Sequence, residues 1–213
     1  MSRKIGRRRR VRKSQRRANQ HSYWYIKFFK PYGVLSQFTD GDGRPTLGDF
    51  ISEPDVYAVG RLDRTSEGLM LLTDDGHLNH RLTHPRYEHP KTYVVQVEGI
   101  PDPLALTQLQ QGVEVKGQKT RPAEVKRLTD PPELPQPPEP VLSRAGMVTT
   151  WLQIILREGR KRQIRRMTAA VGHPTIRLVR IAIGPLRVGD LSPGDSQTLQ
   201  PVELQALKRM DRR

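Results

Sequence analysis

Apolar positions along the chain fall into short runs separated by turn residues. Tyr23–Phe29 (YWYIKFF) is aromatic and β-favouring and predicts a first strand, ended at Lys30-Pro31-Tyr32-Gly33. Val56–Val59, Leu69–Leu72, Thr92–Val97, Val148–Leu156 and Thr175–Ile181 predict further strands. Asp74–Leu82 predicts a short helix with Asp74 or Asp75 near its N-cap, stopped before Pro85. Asp102–Gln111 predicts a second helix, capped by Asp102 and ended by Gly112. Arg160–Val171 predicts a third, ended at Gly172 with Pro174 beyond. The stretch Gly41-Asp42-Gly43-Arg44-Pro45 reads as a turn, because no Gly-Lys-Ser/Thr follows to make it a phosphate loop. Residues 131–140 (PPELPQPPEP) hold six of the 18 prolines and predict a polyproline-like loop. There is no internal repeat. The irregular alternation of strands and helices predicts an α+β fold with a mixed or antiparallel sheet rather than a doubly wound one.

Length and charge narrow the picture. The 213 residues suit one domain or two closely joined lobes. Lys and Arg number 37 against 22 Asp and Glu, a formal net charge of +15 that points to a polyanion, with nucleic acid ahead of an acidic membrane surface. The charge is concentrated in two blocks. Residues 1–20 hold ten basic side chains and no acid, and residues 157–180 hold eight with Glu158 as the one acid. The rest of the chain is close to neutral. The first block has too few apolar residues to offset its ordering entropy, so residues 1–21 are expected to be a disordered RNA-contacting tail, and 22–213 the folded domain. The absence of cysteine excludes disulfides, a Cys-based zinc site and a thiol nucleophile. No apolar run reaches the roughly 20 residues a membrane helix needs. No hydrophobic signal region opens the chain, so a soluble cytoplasmic protein is expected. No long apolar seam is left over, which favours a monomer.

Three segments carry candidate chemistry. The loop Gly60–Gly68 (GRLDRTSEG) sets Asp63 between Arg61 and Arg64, within a span flanked by apolar strands. A carboxylate beside guanidinium stays ionised and can serve as nucleophile or base. The same residues also fit a surface turn knitted by weak ion pairs, and composition leaves both open. On the strand KTYVVQV, Tyr93 shares a face with Val95 and Val97, which suits either a core tyrosine or a base-stacking one. In EGRKRQIRRM, helical spacing puts Ile164, Met167, Thr168 and Val171 inward. Arg162 and Arg166 then lie opposite, towards solvent or phosphate. Arg165 sits at the border and is the better partner for a carboxylate. His77, His80, His84 and His89 show no metal-binding spacing, so no metal is expected. Asp63 with Glu67 could form a pair of glycosidase carboxylates, an alternative that predicts hydrolysis. A non-catalytic ribosome-associated RNA-binding protein is the other alternative. A DNA-binding regulator is the weakest, because there is no helix-turn-helix or zinc pattern.

Taken in order, GRLDRTSEGLMLLTDDG, KTYVVQVEG and EGRKRQIRRMTAAVGHPTIRLVRIAIG resemble the motifs of the RsuA-like family of ribosomal RNA pseudouridine synthases, across about residues 23–190. The stretch Lys30–Thr39 (KPYGVLSQFT) and the length resemble the members that modify 23S RNA of the large subunit. Most members carry an N-terminal S4 RNA-binding module. This chain is expected to lack one and to use its basic tail for some of that affinity. The resemblance implies a pseudouridine synthase fold, a mixed, mostly antiparallel sheet in two lobes with a central cleft. It implies isomerisation of a uridine without cofactor or metal. It implies Asp63 as the catalytic aspartate, Tyr93 as the tyrosine against the target base and Arg165 as the aspartate's partner. Arg61 would fill the gap left by the flipped base, and Arg64, Arg160, Lys161, Arg162 and Arg166 would bind RNA. The Pro-rich 131–140 segment belongs to no motif of the family.

Overall fold

A computed structural model describes residues 23–136, 139–142 and 146–210. The expected basic tail, 1–21, lies outside the described residues, as do two prolines of the Pro-rich segment. In chain order the strands are β1 Tyr25–Lys30, β2 Tyr57–Ala58, β3 Glu67–Thr73, β4 Lys91–Glu98, β5 Glu114–Val115, β6 Gln118–Lys119, β7 Glu124–Arg127, β8 Thr149–Leu156, β9 Thr175–Ile183, β10 Leu186–Arg187 and β11 Ser196–Thr198. The helices are α1 Gly76–Thr83, α2 Pro103–Gln111, α3 Glu139–Leu142, α4 Gln163–Ala170 and α5 Pro201–Met210.

The main sheet runs β11-β1-β3-β9-β4-β8-β7, with β2 beside β3 and β10 beside β9. It consists of two antiparallel halves. β11, β1, β2 and β3 form one, and β9, β10, β4, β8 and β7 the other. A short parallel contact joins them, Glu67 opposite Val179 and Gly68 opposite Arg180. Gly68 has a φ of 102°, and a Cβ there would collide with the Arg180 backbone. Glycine is therefore required where the halves meet. Behind the seam, Arg177 grips Glu67 with two 2.9 Å hydrogen bonds, Nε to Oε2 and Nη2 to Oε1. Both side chains are buried, and this bidentate geometry is what a buried ion pair needs to offset desolvation.

One face of the sheet carries the larger core. Ile26, Phe28, Met70 and Leu72 pack under the segment holding Leu47, Ile51, Val56 and Leu62. Val95, Val97, Leu152, Ile154 and Leu156 pack under α2, α4 and the β5–β6 hairpin, through Leu109, Ile164, Met167 and Val115. This face thus has two roofs. On the other face, Leu78 and Leu82 of α1 and Leu207 of α5 cover Tyr25, Leu69, Leu71 and Ile183. The Pro-rich segment lies on this face too. Its Leu134 packs near Phe29, Val94 and Val179, and the Pro135 carbonyl accepts from Arg177 Nη2 at 3.0 Å.

Local chemistry accounts for most boundaries. Asp75 caps α1, accepting from His77 N and Leu78 N, while Asp74 takes Trp24 N at 2.7 Å. Asp102 caps α2 with Pro103 at the first turn, and Gly112 ends it. The predicted 160–171 helix is shorter, Gln163–Ala170. The strands β5, β6, β7, β10 and β11 and the helices α3 and α5 are found in addition to the predicted elements, and α3 begins at Glu139, within the segment expected to be a polyproline-like loop.

Lys30, at the end of β1, is fully buried. Its Nζ donates to the carbonyls of Pro31 at 2.6 Å and Val34 at 2.8 Å. Burial pulls this ammonium down to about 7, against the opposing pull of Glu67 and Asp63. In the unfolded chain it holds its proton to about 10.5. Between those values the unfolded state binds the extra proton, so stability rises with pH. Urea unfolding should show stability increasing from about pH 7 to about pH 10, and Lys30→Met should flatten most of that rise. An identical pH slope in the variant would contradict this placement.

Candidate active site

The loop between β2 and β3 lies on the face with two roofs, and its backbone is pinned carbonyl by carbonyl. Leu62 O accepts from Ser36 Oγ at 2.7 Å, and Leu62 N donates back to the same oxygen at 3.1 Å. Asp63 O accepts from Ser66 N at 3.0 Å, and Arg64 O from Gly33 N at 2.8 Å. Thr65 O accepts from Arg165 Nη2 at 2.7 Å. Lys30 Nζ approaches Arg64 O from below at 3.5 Å. The loop is therefore rigid although some of its side chains face solvent. Leu62 is buried in the core, and Arg61 and Arg64 on either side of Asp63 are exposed. The Asp63 side chain is 30% exposed, so its carboxylate is presented rather than packed away. Lys30, Gly33 and Ser36 are not among the site residues that the sequence indicates, yet they hold this loop. Their common signal is the KPYGVLS run, whose polar side chains interrupt an apolar stretch.

Tyr93 is placed by strand register. Lys30 pairs with Gly68, Gly68 with Arg180, Arg180 with Tyr93 and Tyr93 with Ile154, one row across five strands. Tyr93 is 9% exposed and belongs to the core cluster that also holds Leu62. A register shift between Thr92 and Tyr93 sets its aim.

The basic segment departs from the expected pairing. Arg165 makes no ion pair with Asp63. Its Nη2 goes to Thr65 O, and its Nη1 to Thr175 O at 3.2 Å. It therefore braces the aspartate loop through the backbone. Burial and the like charge of Arg162 pull its guanidinium below the ordinary range, and Asp63 pulls it back. The cation that pairs with Asp63 is Arg162, Nη1 to Oδ2 at 3.9 Å. Helical spacing predicts Arg162 on the solvent face. Instead it is the N-cap of α4, with φ 53° and ψ 38°, so the helix starts after it.

Tertiary hydrogen bonds set that start. Glu158 is buried and its carboxylate accepts from Arg121 N at 2.9 Å, Gln163 Nε2 at 2.6 Å and Arg160 Nε at 3.2 Å. Gln163 Oε1 in turn accepts from Arg160 N at 3.0 Å. Arg160 also donates through Nη2 to Lys119 O at 3.1 Å. Arg160, expected to bind RNA, is thus engaged inside the protein, and Glu158, which the sequence does not mark as a site residue, is the centre of the clamp. Lys161 is exposed and Arg166 half-buried, while Ile164, Met167 and Thr168 face inward as predicted.

Glu67 is unavailable as a second reactive carboxylate because both its oxygens are held by Arg177. Among the described residues no three His, Asp or Glu side chains gather as metal ligands. His80, His84, Tyr87 and His89 form a chain of ring contacts instead, tilted, edge-on and then stacked.

This geometry can be set beside known proteins. Residues 24–170 match the family described as RNA pseudouridylate synthase. A Vibrio parahaemolyticus protein named ribosomal large subunit pseudouridine synthase E is 54% identical over 175 residues, covering 82% of this chain and 73% of that protein. A Xanthomonas campestris protein of the same name is 52% identical, covering 81% of this chain and 96% of that one. The solved structure titled "Crystal structure of pseudouridylate synthase" superposes with a TM-score of 0.73 at 28% identity, covering 87% of this chain and 74% of that one. With an aspartate on a braced loop of one half-sheet and a largely buried tyrosine on a strand of the other, this chain belongs to the RNA pseudouridylate synthase family.

Proposed function

We propose that this enzyme converts a uridine of 23S ribosomal RNA in the large subunit into pseudouridine. The observation that carries the reading is the partly exposed Asp63 carboxylate on a loop whose four successive carbonyls from Leu62 to Thr65 are all hydrogen-bonded. A reacting group held this firmly needs little reorganisation when substrate arrives.

The target uridine must leave its stack, at a cost of a few kcal/mol. Arg61, exposed two residues before Asp63, would offset part of it by filling the vacancy. Tyr93 would lie against the extruded base. Asp63 acts at the sugar, as nucleophile at C1′ or as base, with Arg162 beside its carboxylate and Arg165 bracing its loop through Thr65 O. The N1–C1′ bond breaks, the uracil turns, and C5 bonds to C1′. Nothing is oxidised and no water is consumed, so the chemistry calls for neither cofactor nor metal. Arg64, Lys161, Arg162 and Arg166 are the outward cations available to phosphate. Arg160 is dropped from that set. The basic segment 1–21 supplies further sequence-independent affinity. We take the enzyme to act as a monomer in the cytoplasm, where its RNA is found.

Asp63→Asn should abolish pseudouridine formation on large-subunit RNA, read by carbodiimide-dependent primer-extension stops, while RNA affinity changes by less than about twofold. Residual turnover would remove Asp63 from the chemistry. Deleting residues 1–20 should reduce the slope of log K against log salt by about 0.7–0.9 for each phosphate that the tail neutralises. An unchanged slope would exclude the tail from RNA. Glu158→Ala should cost about 2–3 kcal/mol in urea titrations, with Glu158→Gln milder because an amide oxygen still accepts. Equal effects of the two would show that the clamp does not depend on those acceptors.

A further inference from the structure

The row that places Tyr93 also assembles an unusual floor. On it, Lys30 and Arg180 flank the bare Gly68, and Tyr93 follows directly after Arg180. Arg180 is 2% exposed. Its Nε donates to Leu69 O at 2.7 Å, and its buried Nη2 has no partner. Lys91, two residues before Tyr93 on β4, is close enough to Arg180 for their like charges to interact, and its Nζ donates to His89 O at 3.2 Å. None of the three cations forms an ion pair with a carboxylate among the described residues. The other face shows the ordinary solution, where buried Arg177 is neutralised by Glu67. An unpaired buried guanidinium is costly and is not relieved by losing its proton. Local rules broken without visible compensation in the resting protein mark functional places.

We propose that Arg180, with Lys91 beside it, is an electrostatic floor that stabilises the uracil anion released when the N1–C1′ bond breaks. The inference rests on the reaction proposed above. In that reaction the bond's electron pair stays on uracil, spread over N1, O2 and O4. If Asp63 is the nucleophile, its oxygen bonds to C1′; if it is a base, it takes the C2′ proton. Both routes leave the same anion, held between Asp63 and Tyr93 above this row until C5 bonds to C1′; that step frees the Asp63 oxygen from C1′ in the first route and returns the proton from Asp63 to C2′ in the second, after which the C5 proton leaves and N1 takes a proton from water. No co-reactant enters. Fixed charge aimed at a site where negative charge develops lowers the barrier without reorganisation. Arg180 acts through space and positions no part of the RNA, so it should affect the rate and not affinity.

The test is single-turnover kinetics of the full chain on RNA carrying uridine or 5-fluorouridine at the target, read as cleavage of the N1–C1′ bond, with RNA affinity measured alongside. Arg180→Met should slow the uridine substrate by about tenfold or more with affinity within about twofold, and Arg180→Lys should recover most of the loss. The deficit should shrink on 5-fluorouridine, because fluorine itself stabilises the uracil anion. A packing role would slow both substrates equally, and that result, or no loss at all, would overturn the proposal. Where Arg180→Met fails to fold, Lys91→Met carries the same comparison, with a smaller loss that again shrinks on 5-fluorouridine; equal losses overturn it. A wild-type chain that converts neither RNA would instead sink the proposed function.

Discussion

The parallel contact of Gly68 with Arg180 is the constraint on which the rest of this molecule depends. Two antiparallel half-sheets meet there over two residue pairs, and only a residue without a side chain lets the backbones close. Three further ties cross the joint. Arg180 Nε reaches Leu69 O, Arg177 grips Glu67, and Arg165 holds Thr65 O. Each links the half that carries Asp63 to the half that carries Tyr93. The relative placement of Asp63 and Tyr93 is therefore set by the joint and not by loop flexibility.

The same joint explains the electrostatics. Strand register alone brings Lys30, Arg180 and Tyr93 into one row, and Lys30 of that row reaches Arg64 O of the aspartate loop at 3.5 Å. The opposing cations Arg162 and Arg165 approach from α4 and its cap. Asp63 is consequently surrounded by positive charge without being locked into a short ion pair. A carboxylate in a short bidentate pair, like Glu67, would be inert. At 3.9 Å from Arg162, Asp63 has a cation beside it and stays accessible.

What the sequence discloses follows from which residues act locally. The strands β3, β4, β8 and β9 are legible because their apolar runs are long and central, and α2 because Asp102, Pro103 and Gly112 punctuate it. Strands of two residues, such as β5 and β6, exist only through their partners and carry no local signal. The basic helix reads too long from sequence because Arg160-Lys161-Arg162 continues the helical spacing. Its true start is set by Glu158, Arg121 and Gln163, contacts that span up to 37 positions. The prominence of Asp63 between two arginines is readable. The engagement of Arg165 with the loop backbone is not, since nothing in a sequence says which polar atom a border arginine meets.

Release of tritium from C5-tritiated uridine in large-subunit RNA, with free uracil assayed in the same tubes, tests the central claim most directly. Wild type should release tritium and no free uracil, because isomerisation exchanges the C5 proton and keeps the base on the chain. Free uracil would make the protein a glycosidase, and neither product on deproteinised or partly assembled large subunits would contradict the account.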